Sequence, residues 1–321
     1  MVIRYRGAIL FSLASASCRL SQEGCSKRIL DFPGRLLKRN SSVGAYFESA
    51  PDLEDWVLFI GDSTVSQYGP RTVELAKHSP SRNAVFLTRH GCLVIDGAAI
   101  STAPQCKSFV QDAVQFALSE DRIKTVVIGS QWFGGINAQG AWSIDTPDGI
   151  KPIRPENAGY KAALSSLERT ITQLRLANKN VVLLLPTPFG AALDPINAVS
   201  RKLQDLATFI SGSSIGGKGI SAVQFRADNL TVRNDLVALA AKQQASVIEP
   251  TLHLCSESDC PAVSPESEAI YMNSSHLNPE FVRKHVTYLD CLLQNTVACP
   301  TVSINNSSSA NGSTDAAIGF R

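Results

Sequence analysis

No apolar run in this 321-residue chain approaches the roughly 18 residues that a membrane-spanning helix needs; runs such as Val181 to Leu185 are only strand-sized. Charge is also scarce, at 18% of residues against a usual figure of about 25%. It is balanced in sign as well, since 30 basic and 28 acidic residues leave a net +2. With no basic block interleaved with aromatics, the electrostatic footprint of a nucleic-acid binder is missing. Repeated CxxC spacing is absent and few histidines lie near the cysteines, so the usual zinc sites are excluded. What remains is a 44% hydrophobic chain long enough to bury a sizeable core, which excludes disorder throughout.

The eight cysteines, at 18, 25, 92, 106, 255, 260, 291 and 299, fall in close sequential pairs. Pairing of neighbours is the preferred reading: Cys92 with Cys106, Cys255 with Cys260, Cys291 with Cys299, and Cys18 with Cys25 as a further candidate. Such bridges imply an oxidising, extracytoplasmic compartment. Free buried thiols in a cytosolic protein are the alternative. Six sequons, beginning at Asn40, Asn229, Asn273, Asn305, Asn306 and Asn311, are compatible with secretion in a eukaryote.

Arg4 and Arg6 precede a short apolar stretch, Ala8 to Ala14, and an Ala14-Ser15-Ala16 sequence, so residues 1–50 read as a signal or a truncated linker. Residues 51–294 read as one domain. The Asn-, Ser- and Gly-rich residues from 295 to 321 read as a flexible tail. Within the domain, Trp56–Ile60, Ala84–Thr88, Thr125–Gly129, Val181–Leu185 and Ala245–Ile248 have the composition of buried parallel strands. Helical spacing separates them: Phe109, Ala113, Phe116 and Ala117 share one face, as do Leu164, Leu167, Ile171 and Leu174. Leu230–Ala241 and Pro279–Leu292 are further helix candidates. The expectation is an α/β protein, a three-layer α/β/α sandwich on a five-stranded parallel sheet, with ligands beyond the carboxyl ends of the strands.

That rule points to Gly61-Asp62-Ser63-Thr64, a serine at a strand-to-helix turn, which is either a nucleophile or a capping residue. Near the other end, Asn273-Ser274-Ser275-His276-Leu277-Asn278-Pro279 sets a histidine just before the last helix. A serine hydroxyl needs a base to take its proton, and His276 is the candidate. His78, His90, His253 and His285 read as surface or capping residues.

Together these words resemble the SGNH (GDSL-like) hydrolase superfamily, most closely the extracytoplasmic SGNH domains of membrane acyltransferases that O-acetylate surface polysaccharides. The likeness spans about residues 51 to 294. It rests on Val57–Thr64, on Val126–Trp132, on Leu185-Pro186-Thr187-Pro188, on Leu254-Cys255 with Cys260, and on Asn273–Asn278. It implies the SGNH (flavodoxin-like) fold, Ser63 as nucleophile and His276 as base. The oxyanion hole it implies is the backbone N–H of Ser63 and of Gly91. Neither Gln131 nor Asn137 matches the family's oxyanion Asn well, so the third donor stays open. Trp132 is either a platform for a sugar ring beside the serine or a core residue.

One position departs from the pattern. Where the family has an acid, this chain has Asn273, which can orient the imidazole but carries no charge. Glu266 and Glu268 lie near enough in sequence to be candidate substitutes. The resemblance implies acyl transfer or ester hydrolysis on a carbohydrate or other acyl ester, with no metal or cofactor, the chain being a piece of a membrane acyltransferase, a separate partner of one, or a free-standing esterase. A general lipase or thioesterase, or a degenerate carbohydrate-binding module, are the alternatives.

Overall fold

The computed structural model describes residues 37–41, 44–78, 80–137, 141–198, 219–294 and 299. The N-terminal signal or linker up to residue 36, the Cys18–Cys25 pairing and nearly all of the tail lie outside the described residues. Each of the five apolar runs forms a strand. With two more, they make one central sheet: β1 (Leu37–Ser41), β2 (Gly44–Glu48), β3 (Trp56–Gly61), β4 (Asn83–Thr88), β5 (Ile123–Gly129), β6 (Asn180–Leu184) and β7 (Ser246–Ile248).

The order across the sheet is β1-β2-β4-β3-β5-β6-β7. The last five are parallel, as expected. The expected five-strand sheet is too narrow, however, because β1 and β2 extend it with antiparallel pairing beside β4. The sheet therefore takes in residues before 51. Leu37-Lys-Arg-Asn-Ser41 is too polar to read as a buried strand, and as an outermost strand it has no need to be one.

Alternation along β3 divides the core. Trp56, Leu58 and Ile60 face one side of the sheet, and Val57 and Phe59 the other, all fully buried. Across the side of β3 that carries Leu58 lie the helices Cys106–Ser119, Ala158–Leu176 and Leu230–Lys242, which contribute Phe109, Ala113, Leu167, Ile171 and Leu236. Val65, Leu75, Phe281 and Val282 cover the side that carries Phe59. The result is a three-layer α/β/α fold.

Pro279–Leu292 is not one helix. It stops at His285, where Val286 takes φ −82 and ψ 81, and a short turn of helix resumes at Asp290–Leu293. The break has a cause in packing. It lets the Tyr288 hydroxyl donate to the Tyr68 hydroxyl across 3.1 Å, and brings the Asp290 carboxylate to the Arg71 guanidinium. The three neighbouring cystines, Cys92–Cys106, Cys255–Cys260 and Cys291–Cys299, are all formed.

Candidate active site

Among the parallel strands, the chain runs from β3 outward to β4, then returns to the other side of β3 with β5. In open α/β sheets the crevice at such a reversal is where ligands bind. Ser63 follows β3 and Gln131 follows β5, so both border it.

Close packing shapes the turn after β3. A Cβ on Gly61 would lie 2.2 Å from a Val65 methyl, and one on Gly129 would lie 2.6 Å from the same methyl. Only glycine lets the short helix α1 (Ser63–Ser66) sit this close to the strand ends. Asp62 caps that helix, its Oδ1 accepting from Thr64 N at 2.8 Å and Thr64 Oγ1 at 2.6 Å. Its Oδ2 accepts from Gln131 N at 2.9 Å and Ser130 Oγ at 3.2 Å, tying the turn to the end of β5.

The base arrives on a tight loop. Met272 N donates to His276 O and Asn278 N to Ile270 O, so residues 272–276 close into a hairpin-like turn. Asn273 holds this turn from inside, its Oδ1 accepting the backbone N–H groups of both Ser275 and His276 at 2.9 Å. Gln67 then joins loop to helix. Its Nε2 donates to Thr64 O at 2.6 Å and its Oε1 accepts from Leu277 N at 2.8 Å.

These contacts bring Ser63 Oγ within 2.8 Å of His276 Nε2. On the far side of the ring, Nδ1 lies 3.1 Å from Asn273 Oδ1 and 3.1 Å from Ser275 Oγ. The amide orientation is fixed, because an atom that receives two backbone N–H groups must be the oxygen. An oxygen facing Nδ1 places the ring proton there. Nε2 is left free to accept the serine proton, the tautomer a general base needs. Burial lowers the His276 pKa below its ordinary value; the Asp62 charge opposes that shift, and His90 reinforces it.

Residues 40–287 match the family model described as "SGNH domain (fused to AT3 domains)". The chain belongs to this SGNH family. No curated protein matches in sequence. Among solved structures, the periplasmic domain of the lipopolysaccharide acetyltransferase of Salmonella ser. Paratyphi A is similar at 12% identity, over 71% of this chain and 79% of that one, with a TM-score of 0.46. TesA is similar at 13% identity, over 74% of this chain and 100% of that one, with a TM-score of 0.37. Acyl transfer or ester hydrolysis is the chemistry that SGNH membership and the serine–histidine pair support.

Other residues expected from the SGNH pattern are placed as follows. Gly91 is exposed, with φ +65, in the turn after β4. That turn is anchored on both sides of it. Arg89 N donates to Gly61 O at 2.9 Å, while Cys92 O accepts from Ser130 Oγ at 3.1 Å. The Gln131 side chain lies over Gly134, and its Nε2 and Oε1 are both buried without a partner among the described residues. Asn137 is turned away, donating to Asn229 Oδ1.

Two expectations are corrected. Trp132 is no sugar platform: it is fully buried, and its indole N–H donates to Leu184 O at 3.1 Å. Glu268 does not replace the missing acid, because Lys284 and His285 both hold it at 2.7 Å, and Glu266 is exposed. His90, read as a surface or capping residue, is half-buried in the Gly91 turn, where burial lowers its pKa and the Asp62 charge opposes that shift. In sequence it looks like any polar residue of a turn.

Proposed function

We propose that this SGNH domain carries out serine-dependent O-acetyl transfer to, or removal from, a carbohydrate through an acyl-Ser63 intermediate. The 2.8 Å contact between Ser63 Oγ and a free His276 Nε2 carries the reading. In the first step Ser63 Oγ bonds to the ester carbonyl carbon while its proton passes to Nε2. The carbonyl electron pair moves to oxygen, where the backbone N–H groups of Ser63 and Gly91 and the unpartnered amide of Gln131 receive it. Collapse expels the alkoxide, which takes the proton back from His276. A sugar hydroxyl or water then repeats the sequence in reverse and frees Ser63.

Asn273 serves as the orienting member of the triad. The three cystines support an extracytoplasmic location. No helix among the described residues is long and apolar enough to cross a membrane, and the family's AT3 fusions support a membrane acyltransferase as the partner that delivers acyl groups.

The test is hydrolysis of 4-nitrophenyl acetate by the wild type, Ser63→Ala and Asn273→Asp. Turnover that Ser63→Ala abolishes supports the proposal. Turnover gained only with Asn273→Asp would mark a preserved but non-catalytic glycan-binding site. Turnover that survives Ser63→Ala would overturn the reading.

A further inference from the structure

An imidazolium forming on His276 faces a neutral amide at Asn273, so the negative charge that normally stabilises it has to come from elsewhere or be missing. Glu268 is committed to Lys284 and His285, and Glu249 to Arg233. Next to the nucleophile, however, stands a carboxylate that the triad does not use. Asp62 is 4% exposed, and both its oxygens accept hydrogen bonds, two each, from Thr64, Ser130 and Gln131. It forms no salt bridge among the described residues.

We propose that Asp62 is the electrostatic partner of His276: it supplies, from the nucleophile side of the ring, the charge that Asn273 cannot supply from the other. This deepens the acyl-serine reading and rests on it. Covalent geometry supports the placement, since Asp62 adjoins Ser63, whose hydroxyl touches the ring. The four donors fix the carboxylate, so its field is already oriented when the ring becomes charged. Among the described residues, the charged or titratable groups acting on His276 are Asp62 from the β3 turn and His90 from the turn after β4; its own loop offers the neutral Asn273 and Ser275. Asp62 touches no reacting atom, so its part is to bias the proton transfer.

The test is the NMR titration of the His276 ring in the folded chain, which needs no turnover, together with kcat/KM against pH for acetyl ester hydrolysis. Asp62→Asn should move the His276 midpoint down by about one pH unit. It should also slow turnover more in the wild type than in Asn273→Asp, where a carboxylate already faces Nδ1. An unmoved midpoint, or equal losses in both backgrounds, would overturn the proposal and leave Asp62 a helix cap. Should Asp62→Asn fail to fold, Ser130→Ala takes its place: with one donor to the carboxylate removed, the midpoint should rise, and a midpoint that stays or falls counts against the charge. A chain without esterase activity whose midpoint still moves would sink the acyl-serine reading alone.

Discussion

Asn273 Oδ1 lies 3.1 Å from His276 Nδ1 while accepting the backbone N–H groups of Ser275 and His276. One amide oxygen therefore builds the loop and selects the histidine tautomer. In serine proteases, exchanging the triad acid for an amide costs about four orders of magnitude in kcat, because the amide favours the wrong tautomer. Here the backbone donors keep the oxygen turned to the ring, and all that Asn273 itself lacks is the charge.

Restoring that charge should accordingly help. Asn273→Asp preserves every acceptor contact, and kcat for acetyl ester hydrolysis should rise on the order of tenfold to a hundredfold. Asn273→Ala leaves two loop N–H groups unanswered and should lower activity and thermal stability together. Steady-state kinetics and a melting curve separate the two effects.

The direction of the His276 shift fixes the pH response. A base must be neutral to accept the serine proton, and a lowered pKa keeps it neutral further into acid. The acid limb of kcat/KM should therefore have its midpoint below the ordinary histidine value of about 6.5. Asn273→Asp should move that midpoint upward. A wild-type midpoint above the ordinary value would show that burial does not dominate the His276 environment.

Gln67 sets the distance between nucleophile and base. Buried at 1% exposure, it joins Thr64 O to Leu277 N. Gln67→Leu removes both bonds and should reduce kcat about tenfold or more with KM little changed, since substrate groups are untouched. Each backbone group left unpaired should also cost about 1–3 kcal/mol of stability. A change confined to KM would show that the residue acts on binding instead.

The Cys92–Cys106 bridge links the Gly91 turn to the first residue of the Cys106–Ser119 helix across 14 residues. Replacing both cysteines by alanine should lower unfolding stability by about 3 kcal/mol in denaturant titration. Because the bridge lies one residue from Gly91, the ester kcat should fall as well, even where the variant remains folded.

Much of this architecture was legible in the sequence for a physical reason. The parallel strands are buried on both faces, so Trp56–Ile60 and Val181–Leu185 announce themselves as apolar runs, whereas the order in which they pair, and with it the switch point, is seen only in the sheet. Ser63 and His276 were legible because chemistry confines them to the ends of such elements. The β1–β2 hairpin was not, since an outermost pair can be polar. Trp132 shows the converse limit: a strand-end aromatic reads the same whether it faces a ligand or the core, and only its bond to Leu184 O decides. Gln67 acts through Leu277, 210 residues along the chain, a contact that no local pattern encodes. The helix break after His285 likewise depends on Tyr68 and Arg71, more than 200 residues away.

The most direct test of the acyl-serine account is intact-mass and peptide analysis of the chain, acid-quenched shortly after mixing with 4-nitrophenyl acetate. The account predicts a single acetyl group on Ser63, absent from Ser63→Ala and more abundant early in the reaction of Asn273→Asp. An unmodified Ser63 in both wild type and Asn273→Asp, or acetylation at another residue that accounts for turnover, would contradict it.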